Sequence, residues 1–250
     1  MPGRRRTEGD RSGPAREAGD RRTAAVYEAY ARDPRKARAW AAANPGNAAI
    51  RGELLDRVMD EVGPQLSAQS QVLDIGCGTG WWLRALTSHG IDPDRLHGVD
   101  ALPERVRSAR SSLPGAHVEV GDACDLPLAD RSFGVVLLFT LLSSLPDRQA
   151  VRLALREARR VTAPGGALLV YEPRVPNPAN RATRYISRRE LARSLDGELR
   201  TSSLTLVPAL ARRLGRATER LYPALSQMPL LRTHRLSIYR VPGDGAPGGS

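Results

Sequence analysis

Apolar positions along this chain change their period at about residue 71. From there, short apolar runs alternate with amphipathic stretches. QVLDI (71–75), RLHGVD (95–100), HVEV (117–120), SFGVVLLF (132–139) and GALLVYE (166–172) predict strands, because brief apolar runs bounded by turn residues suit buried strands. Between them, WWLRALTSH (81–89), PERVRSARSSL (103–113) and RQAVRLALREARRV (148–161) carry apolar residues at helical spacing. This alternation predicts an α/β domain with a parallel sheet and helices on both faces. RTSSLTLV (200–207) and HRLSIYRV (234–241) predict two further strands. They enclose a helical stripe of Val207, Leu210, Leu214, Ala217, Leu221 and Leu225.

The chain before residue 67 reads differently. Residues 1–22 mix both charge signs with Gly and Pro and have no apolar period, which predicts a disordered basic tail. Residues 23–66 predict an N-terminal helical region. Val26, Tyr27, Tyr30 and Trp40 lie on its faces, with a break near Pro34 and a turn at NPGN (44–47). Ile50, Leu54, Leu55 and Val58 then recur at helical spacing up to an expected break at Gly63-Pro64. The alternating domain is expected over 67–242, with its helical insert at 207–230, and a flexible tail over 243–250.

Composition narrows the partners. The 250 residues suit one domain with extras. The net charge of +11 raises nucleic acid as a partner, but Lys36 is the only lysine and aromatics are only 4%. Arginine beside abundant Ala, Gly and Pro is what a GC-rich genome encodes for any function, and a base-stacking surface needs more rings. Composition therefore argues against nucleic acid. Cys77 and Cys124 have no metal-ligand spacing, so no metal is expected and a reducing cytoplasm is the default. No apolar run approaches the roughly 20 residues of a membrane span, and the N-terminus lacks the apolar centre of a secretion signal.

The stretch VLDIGCGTGWW (72–82) carries the chemistry. Three glycines at alternate positions join a strand to a helix, where backbone N–H groups face a crevice and a side chain would hold a ligand away. A dinucleotide fingerprint, G-x-G-x-x-G, would place its third glycine at residue 81, which is Trp81. The tighter G-x-G-x-G spacing, preceded by Asp74, resembles motif I of the class I S-adenosylmethionine-dependent methyltransferases. The order of elements over 71–173 resembles the small-molecule group of that family, and the late strands suit its ending.

The resemblance implies a Rossmann-like doubly wound sheet of seven strands, mostly parallel with the last antiparallel. It implies S-adenosylmethionine as methyl donor and a small-molecule acceptor. Asp74, Gly76, Cys77 and Gly78 become neighbours of the methionine end. Asp100 becomes the ribose clamp with Ala101 against the adenine, Asp122 and Ala123 the adenine readers, and Phe139 the residue beside the sulfonium. Two departures concern packing: Gly134 follows Phe133 where the family often has Asp, and Thr162-Ala163-Pro164-Gly165-Gly166 replaces its usual Leu-Lys-Pro-Gly-Gly turn.

A sulfonium methyl is already activated, so alignment supplies most of the catalysis, although a hydroxyl acceptor can require a base. Glu172 and His234, both expected at the carboxyl edge of the sheet, are the candidates. Arg51 is a candidate for the methionine carboxylate and Tyr27 and Tyr30 for a cover over the donor. The segment 207–225 with Arg212, Arg213, Arg216 and Arg220 reads as a lid, a helix packed on the body, or a basic helix on an anionic membrane. A non-catalytic scaffold that only binds the donor is the alternative from another class. The charge keeps an RNA methyltransferase as a further one.

Overall fold

The computed structural model describes residues 43–67, 69–175, 184–197 and 199–243. The expected tail at 1–22, the helical faces of Val26, Tyr27, Tyr30 and Trp40, and residues 244–250 lie outside the described residues.

Seven strands form one sheet in the order β3-β2-β1-β4-β5-β7-β6. They are β1 (Val72–Ile75), β2 (Leu96–Asp100), β3 (His117–Val120), β4 (Phe133–Phe139), β5 (Thr162–Pro173), β6 (Leu199–Leu206) and β7 (Arg232–Arg240). The pairs β3/β2, β2/β1, β1/β4 and β4/β5 are parallel, and β7 runs antiparallel to both β5 and β6. The sheet is therefore doubly wound, with only the last strand reversed, as the resemblance implied.

One face is covered by α1 (Pro45–Ser67), α2 (Trp81–Thr87) and α3 (Pro103–Ser112), whose Leu54, Val58, Leu83 and Val106 join Val135, Leu137 and Leu169 in one core. The other is covered by α4 (Arg148–Val161) and α5 (Arg188–Leu195). Helix α4 keeps the bounds its sequence predicts. Val151, Ala154, Leu155, Ala158 and Val161 make a buried stripe, and Asp147 caps the start by accepting the Ala150 N–H at 2.8 Å.

Three local expectations change. Asn44 caps rather than turns: its Oδ1 accepts the Gly46 N–H at 2.9 Å, and Pro45 opens α1. The helix also continues through Pro64, because Val62 just before the expected break and Leu66 just beyond it are both fully buried and that packing outweighs a helix-interior proline's cost of about 3 kcal/mol. The stripe at 207–225 is divided into α6 (Pro208–Arg213), a 3-10 turn at Gly215–Ala217 and α7 (Thr218–Ser226). Gly215, at φ +51°, marks the division. The Gly134 departure has a packing reason, since a Cβ there would lie 2.5 Å from Ser70 Cβ.

Candidate functional site

The sheet order switches between β1 and β4. The chain leaves β1 toward α2 on one face and leaves β4 toward α4 on the other, which opens a crevice between their carboxyl ends. Gly76 lies at its floor, and the loop that continues from it turns through Gly76, Gly78 and Gly80 at φ of +78°, +55° and +77°, a region that glycine enters at least cost. The loop is stitched to β2: Gly76 and Cys77 N–H both donate to the Val99 carbonyl, at 2.7 and 3.1 Å. Gly78 N–H donates to Asp100 Oδ2 at 2.9 Å, and Leu102 N–H to Asp100 Oδ1 at 3.0 Å. The buried Asp100 thus joins the glycine loop to the start of α3.

Gly76, Asp100, Ala101, Asp122, Ala123 and Phe139 line one cleft. The other expected neighbours of the donor stand apart from its lining. Asp74 is buried in the sheet below the loop. Cys77 turns its thiol under β2, where a Cβ on Gly98 would lie 2.9 Å from its Sγ, and burial pushes the thiol pKa up. Gly78 faces open space, with no heavy atom within 4 Å of where its Cβ would be.

The far wall was missed by sequence reasoning. Thr140, Leu141, Ser144 and Leu145 follow β4 and face the glycine loop, and Arg105 reaches in from α3. A Cβ on Gly76 would meet Leu141 Cδ1 at 3.0 Å. The signal was the position of this loop, which leaves the sheet at the switch point beside β1. Asp122 is fixed locally, its Oδ1 accepting the Cys124 N–H at 2.8 Å in a turn that carries Ala123 to the cleft.

The paired tryptophans divide their work. Trp82 meets the Phe139 ring edge-on with centroids 4.7 Å apart, anchoring α2 on β4. Trp81 turns outward under the Arg51 guanidinium, which lies 4.8 Å from its centroid.

Residues 73–170 match the family model of a methyltransferase domain. A demethylmenaquinone methyltransferase of Staphylococcus aureus is 32% identical over 123 residues, 48% of this chain and 49% of that protein. An uncharacterized 37.1 kDa protein from a transposon of Streptomyces fradiae is 39% identical over 104 residues, 40% of this chain and 29% of that protein. The chain thus spans about half or less of the length of these relatives. Among solved structures, an S-adenosylmethionine-dependent methyltransferase from Mesorhizobium loti superposes with a TM-score of 0.54 at 19% identity, covering 78% of this chain and 99% of that one. Over residues 73–170, then, this chain matches a methyltransferase domain.

The donor that this family implies, S-adenosylmethionine, fits the cleft of the methyltransferase domain. Each Asp100 oxygen accepts one backbone N–H, and a carboxylate has about four acceptor sites, so capacity remains for two hydroxyl donors. Gly76, the loop residue on the cleft's lining, has no side chain to hold a ligand away.

Beneath that loop, Asp74 carries an oxygen, Oδ2, with no hydrogen-bond partner among the described residues. Burial, then the nearby Asp100 charge, raises its pKa to about 7. The folded domain therefore holds a proton there that the unfolded chain releases at about pH 4. This stabilising contribution is full below that value and falls as pH rises toward 7, by on the order of 1.4 kcal/mol per pH unit. Asp74→Asn is expected to flatten this part of the pH dependence and to be the more stable form at pH 8. Urea denaturation of both proteins across that range tests this, and parallel curves would sink it.

The chain has a second polar centre on the α1 side of the sheet. Tyr171 on β5 lies edge-on to Phe139 at 5.9 Å and stacks on His234 at 4.9 Å. Its hydroxyl lies 2.6 Å from Thr205 Oγ1. Thr205 has φ +69° and donates its N–H to Glu53 Oε2 at 2.9 Å, while Tyr222 on α7 donates its hydroxyl to the same oxygen at 2.7 Å. Burial raises the pKa of both phenols, with Glu53 next in effect at Tyr222, so both keep their protons. Burial, then Arg212, lowers His234 to about 4, which leaves it neutral at ordinary pH.

Glu172 lies elsewhere. It follows Tyr171 on β5 and so points to the opposite face of the sheet. There its buried Oε1 accepts the N–H of Leu142 at 2.6 Å and of Ser143 at 3.3 Å, which holds the far wall of the cleft. Burial raises its pKa to about 7, against the pull of the bonds from Ser143 and Leu142.

Proposed function

We propose that this protein transfers the methyl group of S-adenosylmethionine to a small-molecule acceptor, by O- or N-methylation. The observation that carries this reading is the Asp100 carboxylate bonded to the bare glycine loop and facing the same cleft as Asp122 and Phe139. Asp100 would hold the ribose, Asp122 and Ala123 the adenine, and the loop of Gly76, Cys77 and Gly78 the methionine end, above Asp74. When bound, the donor supplies an activated methyl group, so the chain's own task is alignment and exclusion of water. The acceptor would lie over Phe139, Tyr171 and His234, with neutral His234 taking a hydrogen bond from it. The likeness to a methyltransferase named for demethylmenaquinone supports a small-molecule acceptor.

In this reading Glu172 is a positioning residue rather than a base. Glu172→Gln keeps an oxygen for the two N–H groups and is expected to leave donor affinity and kcat within a few fold. Glu172→Ala strands both donors, at about 1–3 kcal/mol each, and should lower Tm and weaken donor binding together. Loss of turnover in the Gln variant with binding intact would restore the base role.

The direct test incubates the full chain with donor labelled in its methyl group and extracts of its host, followed by identification of the labelled product. Labelled product from wild type that vanishes on boiling supports the transfer. Calorimetric binding of the donor with no labelled product across such extracts would favour the non-catalytic scaffold.

A further inference from the structure

The insert between β6 and β7 has two unlike sides. Its inner side is buried: Tyr222 packs with Leu206 and Ala211 and touches Ile50, Leu214 and Leu225. Its outer side exposes large apolar side chains. Leu221 is 45% exposed, Met228 50% and Leu230 94%. Leu221 and exposed Ala224 are three residues apart on one face of α7, and exposed Met228 follows in the extended backbone just past the helix end, so apolar exposure continues from the helix into the next turn. This ridge ends at the 3-10 turn Pro229–Leu231, where Leu230 stands out at the tip.

Beside that ridge runs a basic one. Arg216 and Arg220 are one helical turn apart, and Arg220 adjoins Leu221. Arg213, Arg216 and Arg220 are all exposed. Glu219 is the only acidic residue between Pro208 and Leu231.

We propose that this outer side docks on an anionic lipid surface, Leu221, Met228 and Leu230 entering the headgroup boundary while Arg213, Arg216 and Arg220 meet lipid phosphates. Three considerations select lipid over protein. A single protruding leucine needs a fitted socket on a protein, whereas a lipid surface yields around it. The mixture of a narrow apolar ridge with a cationic flank is the pattern of helices that lie in a membrane interface. A second copy of the chain is the poorer occupant, because a two-fold interface would set these arginines against themselves. No helix among the described residues is long and apolar enough to cross a membrane, so the contact is peripheral. It is measured without donor or acceptor, and stands or falls apart from the methyl transfer.

The test is flotation of the full chain with vesicles of phosphatidylcholine alone or mixed with phosphatidylglycerol. Wild type should float with the mixed vesicles, less so in high salt, and hardly at all with phosphatidylcholine alone. Leu230→Ser should reduce partitioning about tenfold. Each of Arg213→Ser, Arg216→Ser and Arg220→Ser should reduce it roughly fivefold. All four positions are exposed, so circular dichroism and Tm should match wild type. Wild type left unbound at millimolar anionic lipid overturns the proposal. So does a variant set that floats like wild type, or a dimer in light scattering that Leu230→Ser dissociates.

Discussion

Asp100→Ala is expected to weaken S-adenosylmethionine binding by about a hundredfold or more, read by calorimetry. Two charge-assisted hydrogen bonds to ribose hydroxyls, at about 1.5–3 kcal/mol each, set that scale. The carboxylate has a second task, because it also accepts the N–H groups of Gly78 and Leu102. Part of the loss would therefore come from a loosened glycine loop. A donor analogue lacking the ribose hydroxyls separates the two effects. If Asp100 clamps the ribose, wild type should bind the analogue much more weakly than the natural donor, the variant should bind the natural donor more weakly still by the loop's share, and the variant should scarcely distinguish the two. An Asp100→Ala protein with wild-type affinity would remove the ribose role altogether. The substitution should also lower the pKa of Asp74, which the Asp100 charge helps to raise.

The elements that were legible in the sequence are those whose signal is local. Strands β1, β2 and β4 read as apolar runs because both faces are covered, and α4 read to its ends because its stripe and its Asp147 cap are both strong. Helix α5 was not anticipated: among RRELARSL only Leu191 and Leu195 are buried, too sparse a stripe to stand out. The break expected at Pro64 failed because helix propensity is a weak prior once Val62 and Leu66 can reach a core.

The site divides along the same line. Asp100 and Phe139 are the last residues of their strands, so an edge argument from sequence finds them. The wall from Thr140 to Leu145 is placed by contacts distant in the chain: Glu172 holds Leu142 and Ser143, and Leu141 abuts Gly76. The Glu53, Thr205 and Tyr222 cluster gathers α1, β6 and α7 around one carboxylate oxygen. No spacing rule anticipates a meeting across 152 residues. Tyr222 in particular sits within a stretch that sequence reads as a leucine stripe.

The glycine loop offers the sharpest separation of fold from function. A Cβ at Gly76 would press on Leu141 Cδ1 at 3.0 Å, and one at Gly80 on Ala109 Cβ at 3.1 Å, so larger residues there disturb packing whatever the ligand. Gly78 differs: a Cβ there meets nothing within 4 Å, and its φ of +55° is the only obstacle. For an L-residue that obstacle is about 1–2 kcal/mol, or a Tm lower by several degrees in a chain of this size. Gly78→Val is accordingly expected to stay folded, with an unchanged circular dichroism spectrum, while donor binding falls below detection. The valine would occupy the space where a ligand lies against the main chain. Gly78→Ala, with one methyl in the same place, should fall between. If the valine protein bound the donor normally, the open space beside Gly78 would be solvent only, and the alternating glycines would serve the turn rather than the ligand.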